Sequence, residues 1–576
     1  MLSLMGAFFL QQRGLEDKSP TEDEWAHLVR GILYWQTEDA RTSFGHPPLA
    51  NAIAAVPVAF DDRNPDFTTS RYWETARVGM VAISWLRDDY DTARSHLMTA
   101  RKMMVVFLLA FVIYSFVFTV GFFGPAAGVA VAVLAAFHPT LIAQARYVTT
   151  DFPAALGALV AAGEFTRYLS TKSRLPILTM MLAVSFAILC KHSLMVLVVF
   201  AVVLGLCAAV FGLGRFADRK LAPRVGVALG HLALAALVAT FCLNAAYRFQ
   251  ESGMTVQEIL DKPEPDGVVS RMSGREVFER YTPLPKWPAS LPVPLPYTYV
   301  YGVATMRGYN KHGYPSWFLG KSSSKGSVWY FPVLLAIKNP LTWVIGLGLA
   351  IVALVRRRFP APAVSVFGLI GVGFLSVAMS ASLNMGVRHG LPVVAVFTPF
   401  AAWGLAGALG FQNRFAKPAV IAALATMPLV AGYASPNFLG YFNILAGGRT
   451  GGHQVSLVGE DWGQDRAALA KLVEEKSLFP LYYDLQTSTR KLEAEWLGFP
   501  YEAYKCRGKA GKPAVRPEDA WVAVHALRVE TKRCFMWLRE RTPDYVINDH
   551  IRLYYVDDVP DEAGGATDVA EPAPSE

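Results

Sequence analysis

The chain has 576 residues, of which 53% are hydrophobic and 17% are charged, and its formal net charge is +8. A chain this long and this apolar does not have the composition of a soluble protein. A nucleic-acid partner is excluded because no soluble basic face accompanies the positive charge. The composition therefore predicts a polytopic membrane protein.

Apolar runs long enough to cross a bilayer recur along most of the chain. A bilayer core of ~30 Å needs ~20 mostly apolar residues per helix. Such runs lie at 102–121, 125–143, 152–169, 175–190, 193–213, 225–247, 340–355, 361–381, 390–411 and 416–435. The run Met1–Leu10 is too short to cross, so either its helix begins upstream or the segment only enters the interface; we favour a shortened first span. The expected architecture is an all-α membrane domain over residues 1–435 with about 10–11 transmembrane helices.

Lysine and arginine fall in alternate connections between these runs, at 172–174, 215–224, 356–358 and 414–417. Short loops that carry positive charge stay in the cytoplasm. By parity the loops 11–100 and 248–338 and the tail face outward. We therefore expect a multi-pass plasma (inner) membrane protein whose active site and C-terminal domain are extracytoplasmic.

The tail has a different character from the membrane domain. Leu478–Leu485 and Trp521–Leu527 have the composition of strands and Gln464–Lys476 that of a helix. They predict a small extracytoplasmic α/β domain over 436–556, in which an oxidising compartment would permit a disulfide between Cys506 and Cys534. Residues 557–576 are acidic and rich in Pro, Gly and Ala, so we expect them to be disordered.

The first outward loop contains an acidic pair at the start of a predicted helix. Thr21-x-x-Glu24 has the form of a capping box, which places Asp23 and Glu24 at the helix N-terminus. One interpretation is that Glu24 caps the helix and Asp23 favours its dipole. The other is that a carboxylate at the water–lipid boundary acts as a general base, with His27 and Arg41 nearby.

In this setting the chain resembles the GT-C glycosyltransferases related to protein O-mannosyltransferases and lipid A aminoarabinose transferases. Asp23-Glu24 with HPPLA at 46–50 is similar to the family's first outward loop. The further fragments fall in the family's order: TARKMMVVFLLAFVIY at 99–114, GPAAGVAVAVLAAFHPTLIAQARYVTTDFPAAL at 124–156, WFLGKSSSKGSVWYFPVLLAIKNPL at 317–341, LNMGVRHGLPV at 383–393, YFNILAGG at 441–448 and EDWGQD at 460–465.

The resemblance implies an inverting transferase that takes a sugar from a polyprenyl-phosphate donor. Carried over residue by residue, Asp23 matches the catalytic base and Glu24 its supporting carboxylate. The expected donor-binding residues are Arg101, Arg388, His46 and Lys338. Asp151 matches a second outward acid that orients the acceptor or binds an ion, although a plain helix N-cap is an equal alternative.

Several alternatives to these roles stay open at this level. For outward cations such as Arg146 and Lys191, snorkelling to lipid headgroups is more common than contact with a ligand. Within EDWGQD we favour capping and packing over catalysis. No metal-ligand pattern is visible, so no cofactor is obligatory, although a divalent metal is compatible with the chemistry. The expected partners are the lipid-linked donor, membrane lipids and a protein, lipid or glycan acceptor.

The leading hypothesis is an integral-membrane glycosyltransferase that moves a mannose-like hexose or other sugar to an acceptor hydroxyl. The alternative is a non-catalytic protein that handles lipid-linked sugars, such as a flippase or scaffold. A transporter should carry ionisable residues at mid-membrane and paired interrupted repeats, whereas the spans here are nearly all apolar and no repeat is visible.

Overall fold

The chain forms two compact units, Met1–Arg466 and Ala467–Glu576. The computed structural model describes residues 1–557 apart from 219, 263–273, 315, 357–361, 411–412, 460, 486–487, 505, 507–516 and 549. The sequence predicts a boundary after residue 435, where the last apolar helix ends, but residues 436–466 cluster with the first unit because they hydrogen-bond back onto it. The predicted disordered tail, 557–576, lies outside the described residues except for Asp557.

The first unit begins with an N-terminal segment of five helices and continues as a bundle of apolar helices. The N-terminal segment comprises α1 (Leu2–Gln12), α2 (Glu24–Gln36), α3 (Pro48–Ala55), α4 (Val78–Asp88) and α5 (Tyr90–Met103). The apolar helices that follow are α6 (Val105–Phe123), α7 (Pro125–Ala136), α8 (Pro139–Ala145), α9 (Asp151–Ser170), α10 (Leu175–Cys190), α11 (Val196–Phe211) and α12 (Leu221–Ala246).

A long connection then separates α12 from the remaining apolar helices. It contains α13 (Val256–Asp261), α14 (Gly274–Tyr281), α15 (Tyr297–His312) and a hairpin of β1 (Ser316–Phe318) and β2 (Lys321–Ser323). The unit is completed by α16 (Tyr330–Ile337), α17 (Leu341–Val355), α18 (Pro362–Ser380), α19 (Leu391–Ala408), α20 (Ala416–Ala434) and α21 (Gly448–Val455).

Each of the ten predicted spans coincides with a helix or with a bent pair of helices. In the described part of the chain, five helices are long and apolar enough to cross a membrane: Tyr90–Phe123, His192–Phe211, Leu221–Ala246, Val387–Ala408 and Ala416–Ala434. The bent pairs α7–α8 and α16–α17 raise this number to seven, and Leu175–Cys190 and Ser365–Ser380 are shorter apolar helices. The chain is therefore a multi-pass membrane protein.

One predicted span, α9, is not among the helices that are apolar enough along their length to cross a membrane. It carries Glu164 and Arg167, and nearly all of its residues are buried. It packs against α6, α10, α18 and α19. Glu164 accepts hydrogen bonds from Tyr114 at 2.8 Å and Thr179 at 2.6 Å. The burial of Glu164 agrees with the rule that ionisable side chains inside a membrane face the interior of the helix bundle. The helix begins at Asp151, which therefore lies at one end of this buried helix.

Several outer helices expose large apolar side chains along their length. On α12, Leu237 is 68% exposed and Phe241 is 64% exposed, and Leu429 on α20 is 72% exposed. On a soluble protein such a surface would cause aggregation. In a bilayer these side chains contact lipid, which agrees with the composition of the chain.

The second unit is a small α/β domain, as the sequence predicts. Its elements are α22 (Arg466–Lys476), β3 (Leu481–Tyr483), α23 (Ser488–Leu497), β4 (Glu502–Ala503), β5 (Ala520–His525), α24 (Ala526–Thr531), β6 (Tyr545–Ile547) and β7 (Ile551–Val556). The strand order is β4-β3-β5-β7-β6. β3 is parallel to β4 and β5, whereas β7 is antiparallel to both of its neighbours.

Alternate residues of this sheet enter two different cores. Tyr483, Ala523 and Leu553 pack on one face, and Val522 and Tyr554 pack on the other. This is the period-two pattern of a strand buried on both sides. Cys506 and Cys534 form the disulfide that the sequence permits, with Cα atoms 5.3 Å apart.

Candidate functional site

The acidic pair lies where the first loop turns into α2. Both acids lie at the helix N-terminus, as predicted, but Asp23 is the N-cap and Glu24 the first residue, whereas the predicted capping box would make Thr21 the N-cap. The capping box forms only in part, because Glu24 Oε2 accepts from the main-chain N–H of Thr21 at 2.8 Å while the Thr21 hydroxyl has no partner. Both carboxylates therefore lie at the positive end of the helix dipole.

Glu24 forms a buried ion pair with Arg101. The guanidinium donates from Nε to Oε1 at 2.8 Å and from Nη2 to Oε2 at 2.5 Å, and both side chains are fully buried. Arg101 also donates to the carbonyl oxygens of Lys18 and Ser19, each at 2.9 Å. Such a bidentate, charge-assisted pair fixes geometry strongly. Arg101, expected beside the donor phosphate, is thus engaged by the acidic loop itself.

A strap formed by residues 461–466 holds the same loop from the other side. Ser19 N–H donates to the Gln464 carbonyl at 2.9 Å. Lys18 Nζ lies 2.5 Å from Asp465 Oδ1, and both side chains are buried. The described part of the acidic motif, residues 461–465, therefore stabilises the first loop by packing and hydrogen bonding.

Arg388 is the cation that faces Asp23. It lies in the short 3-10 turn Val387–Gly390 before α19. Gly386 precedes this turn with φ of +88°, and a Cβ there would lie 3.0 Å from the Val458 carbonyl oxygen, so glycine permits the close approach. Arg388 Nη1 donates to Asp23 Oδ2 at 2.8 Å.

The guanidinium of Arg388 is also held in orientation by an aromatic ring. Its Cζ lies 4.4 Å from the ring centroid of Trp462, which belongs to the strap. Stacking on an aromatic face is favourable for a planar guanidinium. The Asp23 side chain remains half exposed, whereas that of Arg388 is only 12% exposed. The carboxylate is therefore the accessible member of this pair.

Asp151 approaches the same guanidinium from the start of α9. Its Oδ2 lies 4.0 Å from Arg388 Nη1, and its Oδ1 accepts from Lys191 Nζ. The N-cap of α9 is Thr150, so the alternative role of Asp151 as the N-cap is wrong. Asp23, Arg388, Asp151 and Lys191 alternate in charge, and we call them the charge cluster.

Two histidines border the charge cluster. His27 donates from Nδ1 to Asn51 Oδ1 at 2.8 Å, and its ring centroid lies 4.7 Å from that of His46. His46 Nδ1 and the Thr150 hydroxyl share a hydrogen bond of 3.0 Å. Arg30 Nη1 lies 3.4 Å from His27 Nδ1. The histidines thus link the beginning of α2 to the residue that precedes Asp151.

The pKa values of these groups follow from burial and from their neighbours. Burial opposes ionisation of Asp23, but the guanidinium of Arg388 holds its pKa below the ordinary value. The pKa of Asp151 is lowered in the same way, against burial, by Lys191 and Arg388. Burial, with Arg30 beside it, lowers the pKa of His27 to about 4. At neutral pH the two carboxylates are therefore ionised and His27 is neutral.

Burial and the neighbouring His27 also lower the pKa of His46 well below its ordinary value. Both imidazoles are consequently uncharged near neutral pH. They add hydrogen-bonding capacity to the site without adding positive charge.

The structure brings Asp23, Asp151, Arg388 and His46 together, as the resemblance implies. Lys338 lies elsewhere: it is 2% exposed, its Nζ donates to the Leu439 carbonyl at 2.8 Å, and it lies 4.0 Å from the centroid of the Phe442 ring. Its expected contact with a donor is not supported by this position.

Sequence reasoning did not assign Arg30, Asn51 or Trp462 to the site, and it noted Lys191 only as one of several outward cations. Arg30 lies one helical turn after His27, a spacing that places both on one face of α2. Asn51 carries no comparable signal, because it reaches His27 through the packing of α3 against α2. A Cβ at Gly31 would lie 2.2 Å from the Asn51 carbonyl oxygen, so this packing requires glycine.

Among the described residues, no group of three or more His, Cys, Asp or Glu side chains is arranged to hold a metal ion. Asp23 and Asp151 are each compensated by a cationic side chain.

No family model and no curated protein matches the chain. Among solved structures it is similar to ArnT from Cupriavidus metallidurans, in the apo state and bound to undecaprenyl phosphate. Both alignments have 14% identity and cover 96% of each chain, with TM-scores of 0.45 and 0.44.

The chain is also similar to the oligosaccharyltransferase AglB from Archaeoglobus fulgidus in complex with an inhibitory peptide and a dolichol-phosphate. This alignment has 12% identity and a TM-score of 0.43, and it covers 90% of this chain and 61% of that one. Another structure of the A. fulgidus oligosaccharyltransferase, with Zn and sulfate, has 11% identity and a TM-score of 0.42, and here the coverage is 89% and 59%.

Proposed function

We propose that the chain is an integral-membrane glycosyltransferase that moves a sugar from a polyprenyl phosphate to an acceptor hydroxyl, with inversion. The observation that carries the proposal is the half-exposed carboxylate of Asp23, 2.8 Å from the guanidinium of Arg388. The pair joins a proton acceptor to an anion-binding group at the start of buried helices. This is the combination that a phosphate leaving group and a hydroxyl nucleophile require.

The reaction is a single displacement at the anomeric carbon. The acceptor oxygen forms a bond to this carbon while the bond from the carbon to the phosphate oxygen breaks. The electron pair of the broken bond leaves with the lipid phosphate, and the proton of the hydroxyl passes to Asp23. Inversion follows because the nucleophile enters opposite the leaving group.

In this mechanism Arg388 interacts first with the base, Asp23, and then with the leaving phosphate. While it is bonded to Asp23, it depresses the basicity of the carboxylate. A donor phosphate that draws the guanidinium toward itself raises the basicity of Asp23 again. The base thereby becomes effective only when the leaving group is in place.

Asp151 and Lys191 position this guanidinium and supply a second cation. Asp151 lies within 4.0 Å of Arg388 and keeps Lys191 at the same mouth of the bundle. Two cations neutralise the charge of a departing phosphate without an obligatory divalent metal. His46, neutral beside Thr150, is positioned to contact a sugar hydroxyl or a phosphate oxygen.

The orientation of the site follows from the charges of the short loops. Lysine and arginine at 172–174, 215–224, 356–358 and 414–417 favour the cytoplasm for those connections. The charge cluster lies at the opposite ends of the same helices. We therefore propose that the reaction takes place at the extracytoplasmic face of the plasma (inner) membrane.

The test is transfer from labelled polyprenyl-phosphate mannose and related donors by the purified protein in lipid. Wild-type protein should release the lipid phosphate as the acceptor is glycosylated. Asp23→Asn should reduce the initial rate by roughly 10²- to 10⁴-fold, the usual contribution of a general base. The exposed loop carboxylate Asp62 supplies the matched control, because Asp62→Asn removes the same charge outside the site.

A folded Asp23→Asn protein, with the elution profile and melting temperature of the wild type, that transfers sugar at the normal rate would refute the role of Asp23. Donor binding without turnover in the presence of every acceptor class, unchanged by Asp23→Asn, would instead support the lipid-handling alternative. Release of lipid phosphate that depends on Asp23 would exclude that alternative.

A further inference from the structure

The tip of the β1–β2 hairpin and the residues just before α16 form an exposed surface that the proposed chemistry does not use. Leu319 at the hairpin tip is 56% exposed and Trp329, just before α16, is 65% exposed. The Phe318 ring packs edge-on against Tyr330, with ring centroids 5.3 Å apart, so the tip and the helix start belong to one surface. We propose that residues 316–337, here the interfacial segment, insert into the membrane surface and contact anionic lipid headgroups.

The angle between α16 and α17 gives the depth of this segment. The two helices are bent by 116° at the break between them. Spanning helices tilt by ~20° on average from the bilayer normal. With α17 at this average tilt and entering from the outer side, as the loop charges favour, a bend of 116° directs the start of α16 back toward the bilayer. Trp329 is therefore closer to the membrane interior than the end of α16 is.

The C-terminal end of α16 lies where α17 enters the bilayer, so the depth of Trp329 is compared with this level. Asn443 Nδ2 donates to the carbonyl oxygens of Ala336 and Asn339, each at 2.7 Å. The next two residues, Ile444 and Leu445, are 78% and 59% exposed. Exposed apolar side chains therefore lie next to both ends of α16, at Trp329 and at Ile444 and Leu445, while α16 itself packs into the protein.

The charge of the interfacial segment fits an anionic surface. Lys321 and Lys325 are exposed, and residues 316–337 contain no Asp or Glu. Lysine side chains close to an anionic leaflet are attracted to its headgroups. A tryptophan beside lysines is also the combination found at membrane–water interfaces. Depth and charge both favour lipid over a soluble protein as the occupant of this surface.

The interfacial segment is joined to the charge cluster by one hydrogen bond. The hydroxyl of Tyr330 accepts from the main-chain N–H of Gly386 at 2.9 Å, two residues before Arg388. The inference itself does not depend on the proposed reaction, because depth is measured without any substrate.

The test measures the depth of nitroxide labels by electron paramagnetic resonance in nanodiscs. Leu319→Cys and Trp329→Cys are made in the full chain with Ala at Cys190, Cys207 and Cys242, and with the Cys506–Cys534 disulfide kept. The discs contain phosphatidylcholine with equimolar phosphatidylglycerol. Both labels should collide more with oxygen, which concentrates in the bilayer, than with a water-soluble nickel complex.

Asp62→Cys, at an exposed polar loop position, is the matched control and should show the opposite preference. Nickel accessibility at Leu319→Cys equal to that of the control would overturn the proposal. Shielding of the label from both reagents would overturn it too, because it would reveal a protein partner on this surface.

The part played by the lysines is tested in the same discs. Lys321→Gln together with Lys325→Gln should make both labels shallower in the mixed discs but not in pure phosphatidylcholine. An equal effect of the substitutions in both lipids, or none in either, would contradict recognition of anionic headgroups while leaving the depth result to stand by itself.

Discussion

Asp23 and Glu24 are consecutive residues, and each is paired with an arginine that comes from a distant part of the chain. Glu24 and Arg101 are fully buried, and further hydrogen bonds from the arginine go to the surrounding loop. The Asp23 side chain is half exposed and its partner Arg388 borders the open charge cluster. The same kind of carboxylate–guanidinium pair therefore has two different roles. The buried pair holds the loop, and the half-exposed pair is available to a substrate.

The largest expected effect lies in the buried pair. Arg101→Met leaves the Glu24 carboxylate buried without its cation, which costs about 3–5 kcal/mol. This is a large part of a typical stability of about 5–15 kcal/mol. We expect a much lower melting temperature and aggregation in detergent, measured by thermal unfolding and size-exclusion chromatography.

The double variant Glu24→Gln, Arg101→Met removes both charges and is the control. Because no unpaired charge remains, it should recover part of the lost stability. An unchanged melting temperature in the single variant would mean that the pair does not hold the loop, and the contrast with Asp23 would fail.

The open pair should respond more in activity than in folding. Arg388→Gln removes the donor that faces the leaving phosphate, and losses of this kind reduce rates by about 10²- to 10³-fold. The melting temperature should fall much less than in Arg101→Met, because the half-exposed Asp23 carboxylate is not left buried when its partner is removed. Initial rates with the labelled donor and thermal unfolding of the same preparation check both statements. A folded variant with full activity would remove Arg388 from the reaction.

A smaller effect is expected from the second cation of the charge cluster. Lys191→Gln removes a charged hydrogen bond to Asp151, worth about 1.5–3 kcal/mol. We expect initial rates to fall roughly 10- to 100-fold, less than in Arg388→Gln, because Lys191 is the second of the two cations proposed to stabilise the departing phosphate. Lys338→Gln is the matched control, since Lys338 is buried away from the cluster and should affect stability more than the rate in the folded fraction.

The smallest effect is a shift in pH dependence. Arg388 keeps the pKa of Asp23 below its ordinary value of 3.8, so the wild-type base stays ionised as the pH falls. In Arg388→Gln the opposing effect of burial remains, and the folded-state pKa rises. The acid limb of the residual rate should therefore move to higher pH, as measured by kcat/KM against pH. A limb that does not move would show that a different group limits the rate.

Ionisation of Asp23 also contributes to stability with a defined sign. A carboxylate whose pKa is depressed on folding stabilises the protein at neutral pH, and this contribution is lost as the pH falls through the folded-state pKa. As the pH is lowered from neutral, the melting temperature of Arg388→Gln should therefore fall less than that of the wild type. The comparison requires only folded protein and no donor.

The elements of the fold that were predicted correctly are those that short stretches of sequence determine. Each predicted span was found as a helix or a bent pair, because a run of apolar residues is sufficient for a helix in lipid. The acidic pair was found at the start of α2 for a similar reason, since the helix pattern begins at Trp25. The strands at Leu481–Tyr483 and Ala520–His525 were also anticipated from composition.

Long-range pairing was not predictable in this way. Arg101 was expected at the donor but lies under the acidic loop, and Lys338 was expected in the site but is buried at the bend between α16 and α17. An outward lysine or arginine has the same sequence signature in either role. Residues 436–466 fold with the first unit for the same kind of reason, because the strap binds a loop more than 400 positions earlier.

The sequence by itself determined the class of protein, the positions of its membrane helices and the presence of an acidic loop with HPPLA after it. These follow from burial in lipid and from short-range helix signals, which act over about twenty residues. Only the tertiary structure decided which carboxylate is buried and which is accessible. That choice depends on whether Arg101 or Arg388 reaches each acid, and contacts between residues so far apart are set by the packing of the whole unit.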